Sequence, residues 1–306
     1  MKIAVLMSTY NGELYLRAQI DSILKQNVDA DLTLIVRDDG STDSTVSILM
    51  EYEKNTNVKV FYGKNIGPAK SFISLLINNP GYDFYAFSDQ DDVWNLDKIK
   101  RGVTALYNYD KPALYFSNSE LVDEKMLSMN RNTYRKDLAV FSLVSMLSFA
   151  KCAQGCTSIF NKHLASIIQN NEMPSIFRMH DSLVSCVCAL VNGTIIYDKE
   201  ASMKYRMHKN NVDGILSAKK SFFYIIIKRL LVILRKKNIS MYAQTECLLD
   251  VYKKHISQEN YMVGELVLQS KHSLLSRIKL FFRNDLVSTS LNLTITKKLE
   301  ILFGNA

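Results

Sequence analysis

The chain has 306 residues, of which 47% are hydrophobic, with eleven glycines and four prolines. This composition excludes an intrinsically disordered or low-complexity protein, and the length fits one large domain or one domain with an appendage. The net charge of +8 is unevenly placed, because residues 219–306 hold 15 basic and 6 acidic residues while residues 1–218 hold 23 and 24. We therefore predict a near-neutral domain at 1–218 and a basic, mostly helical region at 219–306.

The cysteines and the N-terminal residues indicate a cytosolic protein. The five cysteines form no paired C-x-x-C motif, which predicts reduced thiols rather than a disulfide framework or a zinc site. The apolar run Lys2–Met7 is too short for a signal peptide and is followed at once by polar residues. It therefore indicates a first strand.

Apolar strands alternate with helical patterns along the first part of the chain. Predicted strands cover Lys2–Met7, Leu32–Val36, Val58–Tyr62, Tyr82–Phe87, Ala113–Asn118 and Gly193–Tyr197. Apolar residues at helical spacing follow each of the first three strands and also follow Trp94. This βαβαβαβ order predicts an α/β fold with a mostly parallel, Rossmann-like central sheet flanked by helices. The polar segment 123–137 is predicted as a loop.

Polar residues stand where three of these predicted strands end. The clusters are Thr9-Tyr10-Asn11, Asp38-Asp39 and Asp89-Gln90-Asp91. Ligands of open α/β sheets bind at the carboxyl ends of the strands, so the three clusters predict one binding site. The chain has no Gly-rich phosphate loop of the Walker or dinucleotide type, so a metal must neutralise most of the charge of a bound diphosphate.

The segment Ser88–Trp94 places three carboxylates directly after a buried strand. Like charges at such a position need a cation, and oxygen ligands select Mg²⁺ or Mn²⁺ over zinc. On an extended strand Asp89 and Asp91 face the same side about 6.6 Å apart, which is wide for one small ion. We therefore expect Asp91 to hold the metal and Asp89 to reach another group, such as a sugar hydroxyl. The alternative is a solvated acidic turn.

Two other carboxylates allow both a functional and a structural interpretation. Asp38 ends the second strand, where it can accept an N–H of a pyrimidine base, while Ser41 or Thr42 can cap the next helix. Asp181 stands at the predicted start of a buried helix, whose dipole favours an ionised proton acceptor. The structural alternative for Asp181 is a helix N-cap.

A further polar cluster contains Arg206 and His208, which follow a predicted strand and share one face if that segment is extended. They can neutralise phosphate or complete the shell of a metal ion. A single histidine is more often structural, so this pattern alone does not decide its role.

In order, the motifs resemble those of glycosyltransferase family 2, the inverting enzymes of the GT-A fold. They begin at Ser8 (Ser-Thr-Tyr-Asn-Gly), Asp38 (Asp-Asp-Gly-Ser-Thr-Asp), Ser88 (Ser-Asp-Gln-Asp-Asp-Val-Trp), Gly155 (Gly-Cys-Thr), His180 (His-Asp) and Tyr205 (Tyr-Arg-x-His-x-Asn-Asn-Val). The resemblance covers about residues 1–215. The Asp-Gln-Asp-Asp segment and the last two motifs are similar to bacterial rhamnosyltransferases of capsule and O-antigen synthesis, which use dTDP-L-rhamnose.

The resemblance implies a role for each motif residue. Thr9, Tyr10 and Asp38 would lie near the base, Asp89 at the ribose, Asp91 and His208 at Mg²⁺ or Mn²⁺, and Asp181 would be the catalytic base. The donor nucleotide would also contact Asn11, Asp39, Lys70, Gln90 and Arg206, and the sugar or acceptor would contact Trp94, Gln154, Gly155 and His180. The chain departs from the family pattern at Ser182-Leu183, where bulky aromatic residues are frequent, and at Met207, where glutamine is common.

The implied reaction is the metal-dependent, inverting transfer of L-rhamnose, or of a hexose from a UDP donor, to a hydroxyl of a glycan or an undecaprenyl-diphosphate-linked oligosaccharide. Two other classes compete with this interpretation. A nucleotidyltransferase would need a Gly-rich loop bearing Arg or Lys after the first strand, which Ser8–Gly12 lacks. A non-catalytic module that binds sugar nucleotides would not need both Asp91 and Asp181.

The basic region contains two stretches that mix apolar and basic residues, Ser221–Leu234 and Leu274–Arg283. The first is too short and too charged to span a bilayer, and it fits a basic amphipathic helix on the anionic inner face of a bacterial plasma membrane. The alternatives are helices packed on the catalytic domain and a contact between two subunits of a homodimer. Nucleic acid is disfavoured as a partner, because the aromatic residues lie within apolar runs.

Overall fold

The computed structural model describes residues 1–134, 141–149, 153–209, 240–288 and 291–304. Its strands are Lys2–Thr9 (β1), Asp31–Asp38 (β2), Val58–Tyr62 (β3), Phe84–Ser88 (β4), Val93–Trp94 (β5), Ala113–Val122 (β6), Ser128–Asn132 (β7), Ser158–Asn161 (β8) and Thr194–Arg206 (β9). Its helices are Leu16–Leu24 (α1), Thr45–Tyr52 (α2), Pro68–Asn78 (α3), Lys98–Leu106 (α4), Leu143–Phe149 (α5), Lys162–Gln169 (α6), His180–Leu190 (α7), Met241–Tyr252 (α8), Gln258–Gln269 (α9), Leu274–Phe281 (α10) and Leu291–Leu302 (α11), with a 3₁₀ turn at Gly155–Thr157.

Local signals account for several of these helix boundaries. Gly67 adopts a φ of 81° directly before α3, and Pro68 opens that helix with the fixed φ that suits a first helical position. The side chain of Asn161 accepts a hydrogen bond from the N–H of Leu164 and caps α6. Serines cap α8, α9 and α10 in the same way, at Ser240, Ser257 and Ser273.

All nine strands form one sheet, in the order β3-β2-β1-β4-β8-β6-β9-β5, with β7 paired to β6. The half formed by β3, β2, β1 and β4 is parallel, as the alternation of strands and helices predicted. β8 then pairs antiparallel with both β4 and β6, while β9 runs parallel to β6. In this register Thr9 lies beside Asp38, and Met7 lies beside Ser88, so three strand ends meet at one edge.

Both faces of the central strands are buried, as expected for parallel strands covered by helices. Along β1, Ala4 and Leu6 belong to one core, whereas Ile3, Val5 and Met7 belong to the other. The second core contains residues of α1, α2 and α4. The first contains residues of α3, α5, α6 and α7 and also of the C-terminal helices α8 to α11.

The C-terminal helices therefore pack on the sheet-containing part of the chain. Leu248 and Leu249 of α8, Val267 of α9, Leu280 of α10 and Ile301 of α11 are all buried in the core that contains α3. The division at residue 218 stays a prediction, and the described helices beyond it share a core with the residues before it. Among the described residues, no helix is both long and apolar enough to cross a membrane.

The segment 123–137, predicted as a loop, contains β7, which forms a hairpin with β6. This expectation was wrong for residues 128–132. All five side chains of β7 are exposed, so the strand carries no apolar alternation from which it could have been predicted. Arg135 and Lys136, the motif residues Asn210 to Val212 and the stretch Ser221–Leu234 lie outside the described residues.

Candidate active site

Gln90 joins the end of β4 to the end of β1. Its Oε1 atom accepts hydrogen bonds from the hydroxyl of Thr9 at 2.5 Å and from the backbone N–H of Tyr10 at 2.9 Å, and its Nε2 atom donates to the carbonyl of Tyr10 at 3.1 Å. A side chain at Gly12 would collide with the Gln90 amide. Gln90 thus positions the loop after β1, and Tyr10, which is 47% exposed, is presented to solvent.

Asp38 is only 2% exposed and is held by the turn that follows it. One carboxylate oxygen accepts the N–H groups of Gly40 and Ser41 at 3.1 and 3.0 Å, and the other accepts the Ser41 hydroxyl. The Ser41 hydroxyl also accepts the N–H of Asn11, and the Asn11 amide oxygen accepts the N–H of Thr42 at 2.8 Å. The expected cap by Ser41 or Thr42 was wrong, because these residues bind the loop after β1 and α2 begins only at Thr45.

Asp39, also 2% exposed, connects the end of β2 to the start of α3. Its two oxygens accept the N–H groups of Ile66 and Gly67, each at 2.9 Å, and it pairs with Arg37. Asp39 therefore has a positioning role in this structure. Lys70 lies exposed in the first turn of the helix that Asp39 helps to place.

The acidic segment after β4 forms a compact cluster of carboxylates. Asp91 lies 2.8 Å from Nε2 of His208, so the structure brings together the two residues predicted to bind metal. Asp92 is fully buried, and one of its oxygens accepts the N–H of Arg206 at 3.1 Å. Burial, with the charges of Asp91 and Asp89, raises the pKa of Asp92 well above its usual value.

A divalent cation fits this cluster. The second carboxylate oxygen of Asp92 is buried without a hydrogen-bond partner among the described residues, although a buried polar atom normally has one. Single ligand atoms of Asp89, Asp92 and Cys156 all lie within 4.8 Å of one another. The carboxylates suit Mg²⁺ or Mn²⁺, whereas the Cys156 thiol is a soft ligand that these ions do not select. Cys156 was not predicted as a ligand, because only the fold brings it beside the acidic segment, and Asp92 was not predicted as a ligand although it belongs to that segment.

Arg206 and His208 are held together by an aromatic ring that the sequence analysis missed. The Arg206 guanidinium donates to the carbonyls of Asp91 and Glu124 at 2.9 and 2.8 Å and lies 4.4 Å from the centre of the Tyr15 ring. The His208 ring lies 5.1 Å from the same ring. Tyr15 could have been singled out as an aromatic residue in the polar segment that follows the first strand.

Asp181 lies in the first turn of α7, and the N-cap of this helix is Met179. The N-cap alternative for Asp181 was therefore wrong. One of its oxygens accepts the N–H of Gly155 at 3.2 Å, and the other accepts the N–H of Ser182 at 2.6 Å. These two donors and the helix N-terminus stabilise a negative charge on the carboxylate.

His180 is buried next to this carboxylate. Its ring stacks on Phe72 with 3.9 Å between the ring centres and meets the edge of Phe87 at 4.8 Å. Burial lowers the pKa of His180 to about 3, so the ring is neutral. A side chain at Gly155 would collide with the His180 ring, which explains why glycine stands there. Gln154 precedes this glycine, and its Oε1 is buried.

Trp94, predicted to contact the sugar or the acceptor, is buried in this structure. Its ring is 3% exposed and packs under the buried ammonium group of Lys98, 4.9 Å from the ring centre. Burial lowers the pKa of Lys98 to about 8. Contact between Trp94 and a sugar would therefore require a rearrangement of the β5 segment.

Short contacts connect the predicted site residues into one region. The carbonyl of Thr9 accepts the N–H of Asp39 at 2.8 Å, and Thr9 is bound to Gln90 of the acidic segment. On the other side, the turn Gly155–Thr157 places Cys156 beside Asp89 and Asp92, while Gly155 binds Asp181. The ends of β1, β2 and β4 and the start of α7 are thus linked through neighbouring contacts.

The chain is similar in sequence and in fold to known proteins. The family model described as Glycosyl transferase family 2 matches residues 4–162. The dTDP-rhamnosyl transferase RfbG of Shigella flexneri is 29% identical over 226 residues, which cover 68% of this chain and 73% of that protein.

Two further proteins show more distant likeness. The UDP-Glc:alpha-D-GlcNAc-diphosphoundecaprenol beta-1,3-glucosyltransferase WfgD of Escherichia coli is 25% identical over 162 residues, or 51% of this chain and 58% of that protein. The crystal structure of S. aureus TarS 1-349 in complex with UDP-GlcNAc superposes with a TM-score of 0.58 at 19% identity, over 99% of this chain and 89% of the other. At 19% identity, the likeness to TarS concerns the fold alone.

Proposed function

The chain belongs to glycosyltransferase family 2, and we propose that it transfers L-rhamnose from dTDP-L-rhamnose to a hydroxyl group of a glycan or lipid-linked oligosaccharide, with inversion at the anomeric carbon. Its fold is the GT-A fold, and its activity is that of a glycosyltransferase of polysaccharide synthesis. We propose the identity of the donor, of the metal ion and of the acceptor, and also the role of each site residue.

The observation that carries the proposal is the link between the acidic segment and Asp181. The turn at Gly155–Thr157 touches both, because Cys156 lies beside Asp89 and Asp92 while the N–H of Gly155 binds Asp181. A carboxylate that accepts protons and a cluster that can hold a cation and a diphosphate therefore lie on either side of one short turn. A non-catalytic binding module needs only the cluster that can hold a cation and a diphosphate.

Asp181 is the proposed catalytic base. It takes the proton of the acceptor hydroxyl while that oxygen attacks the anomeric carbon from the side opposite the diphosphate, and such a single displacement inverts the configuration. The N–H groups of Gly155 and Ser182 orient its two oxygens and stabilise the ionised form that accepts a proton. The neutral ring of His180 packs behind this segment and adds no charge to the site.

Asp91 and His208 are the proposed metal ligands, with Asp89 or Asp92 completing the shell. Bound Mg²⁺ or Mn²⁺ would supply charge compensation for the departing diphosphate. Arg206 holds the segment in place, because its backbone N–H binds the Asp92 carboxylate and its guanidinium binds the Asp91 carbonyl.

The loops after β1 and β2 are the proposed nucleotide site. Tyr10 is exposed at the rim, and Asn11, Asp38 and Ser41 hold the two loops against each other. The name of RfbG supports a dTDP-rhamnose donor for this chain. A UDP-hexose is the second candidate, since WfgD is named for UDP-Glc.

An undecaprenyl-diphosphate-linked glycan is the proposed acceptor class, supported by the acceptor in the name of WfgD. Such an acceptor would place the enzyme at the inner face of the plasma membrane, with its active site in the cytoplasm. A homodimer stays a prediction from the sequence.

A turnover assay with a synthetic lipid-diphosphate glycan tests the proposal. With dTDP-L-rhamnose and Mn²⁺ we expect release of dTDP and an acceptor that gains one rhamnose in mass spectrometry. UDP-glucose serves as the matched donor control, and thermal shift with both donors reports binding independently of the acceptor. Stabilisation and turnover with UDP-glucose but not with dTDP-L-rhamnose would show that the donor is a UDP-hexose. Donor binding without turnover on any acceptor would favour a binding module.

A further inference from the structure

The C-terminal helices α10 and α11 expose an unusual amount of apolar surface. Eight large hydrophobic side chains on or directly after these two helices have exposed fractions between 38% and 74%. They are Leu274, Leu275, Ile278, Phe282, Leu291, Ile295, Leu299 and Phe303. Single exposed hydrophobic residues are ordinary, but a group of this size on adjacent helices marks an interaction surface.

On α10 the exposed residues form one stripe along the helix. Leu275, Ile278 and Phe282 recur every three or four residues and therefore lie on the same face. Ser276 and Leu280 are buried on the opposite face, where the helix packs on the rest of the protein. The outward stripe is thus not part of the core that holds α10 in place.

The second helix repeats this arrangement. Leu291, Ile295 and Leu299 are exposed at intervals of four residues, while Thr294 and Ile301 are buried. The helices are antiparallel neighbours, because Lys298 donates to the carbonyl of Arg283 at 2.7 Å, and a side chain at Gly304 would lie 2.7 Å from the Arg277 guanidinium. We call the outward residues of both helices the α10–α11 face.

Basic residues outnumber acidic residues in this part of the chain. Residues 271–304 contain six lysines and arginines and only two acidic residues. Both acids are paired, Asp285 with Arg283 and Glu300 with Lys297. Lys279 is exposed and, at helical spacing, lies on the same side of α10 as the apolar stripe, and Lys271 is exposed in the turn that precedes this helix.

We propose that the α10–α11 face binds an anionic phospholipid surface. The apolar stripe would enter the region between headgroups and acyl chains, and the lysines would contact the lipid phosphates, as in interfacial amphipathic helices. Charge complementarity selects this occupant over a second copy of the chain, since two copies would bring two positively charged faces together. Membrane binding would bring Asp181 to a lipid-linked acceptor, and only this purpose rests on the proposed function.

Vesicle flotation of the full chain tests the proposal. The chain should float with vesicles of phosphatidylcholine and phosphatidylglycerol, float far less with phosphatidylcholine alone, and be released by salt. The apolar variant combines Leu275→Ser, Ile278→Ser and Phe282→Ser. The charge variant combines Lys271→Glu and Lys279→Glu. Each should lower the partition coefficient by at least about tenfold.

The matched control removes three exposed hydrophobic side chains that lie outside the C-terminal helices. It combines Met50→Ser, Leu96→Ser and Tyr107→Ser. This control should float like the wild type. All variants should retain turnover with a water-soluble acceptor, so a loss of binding to vesicles is separable from a failure of the proposed reaction.

Three results would overturn the proposal. Flotation of both variants equal to that of the wild type would assign membrane binding to another part of the chain. No flotation of the wild type with anionic vesicles would exclude a lipid partner. A concentration-dependent dimer in sedimentation velocity that the apolar variant abolishes, without flotation, would assign the face to a second copy.

Discussion

At the scale of single residues, Asp181 is the side chain on which the proposed chemistry depends most directly. Its oxygens are already oriented by the N–H groups of Gly155 and Ser182. Asp181→Asn keeps the size of the side chain but removes the proton acceptor, so we expect kcat to fall by roughly 10²- to 10⁴-fold. Steady-state turnover measures this effect, and calorimetry should show unchanged donor binding. Turnover near the wild-type rate would exclude Asp181 as the base.

Tyr15 is expected to act through Arg206 and His208, which both pack on its ring. Tyr15→Leu removes a cation–π contact of about 1 kcal/mol, so we expect the KM for the donor to rise about fivefold with little change in kcat. Tyr15→Phe keeps the ring and is the matched control. If both variants raised KM equally, the hydroxyl rather than the ring would be responsible.

His180 should make stability depend on pH. Burial lowers its pKa to about 3, so between that value and its ordinary pKa of about 6.5 the unfolded chain binds a proton that the folded chain does not. Stability therefore falls as the pH falls through this window, by up to about 1.4 kcal/mol per pH unit from this residue. Urea unfolding at pH 7 and pH 5 measures the slope.

A variant isolates this contribution from that of Asp92, whose raised pKa acts in the opposite direction. His180→Leu has a similar volume and cannot titrate. We expect the difference in unfolding free energy between pH 7 and pH 5 to be smaller in the variant than in the wild type. An identical pH dependence of both proteins would show that His180 titrates alike in the folded and unfolded chains.

At the scale of secondary-structure elements, Asp39 joins β2 to α3 and so shapes the edge of the sheet. Asp39→Ala leaves Arg37 unpaired and removes the acceptor of the N–H groups of Ile66 and Gly67. We expect a loss of about 3 kcal/mol in the free energy of unfolding, measured in urea. Asp31→Ala, at the exposed start of the same strand, should change stability by less than about 0.5 kcal/mol.

The strands and helices with clear periodicity were predictable, and others were not. β1, β2 and β4 are apolar runs in the buried part of the sheet, so their residue types indicate strands directly. β5 has only two residues, and β7 is exposed at every position. Such strands form because a neighbouring strand offers hydrogen-bonding groups. The residues of the strand itself contain no pattern from which this pairing could be predicted.

At the scale of the whole molecule, the C-terminal helices and the sheet share one core. Buried residues such as Val267, Leu280 and Ile301 pack in the same core as Leu6 of β1. We therefore expect one cooperative unfolding transition. The fluorescence of Trp94, the single tryptophan, should change at the same urea concentration as the far-UV circular dichroism of the helices. Transitions at separate concentrations would instead support two independent units that divide near residue 218.

The sequence by itself determined the α/β class, the parallel half of the sheet and the edge at which the site lies. These follow from local patterns, because apolar runs form strands and polar residues after them collect at the strand ends. Through motifs that resemble those of the family, it also predicted that Asp91 and His208 lie together, as the structure shows, while the role of Asp181 stays a prediction.

Only the tertiary structure decided which residues meet across long separations. Cys156 lies beside Asp89 and Asp92, and Tyr15 lies between Arg206 and His208, although no local pattern links these positions. The same holds for the α10–α11 face, since apolar residues at helical spacing do not reveal which side of a helix is covered. Burial depends on which elements pack against each other, and that packing is a property of the whole fold.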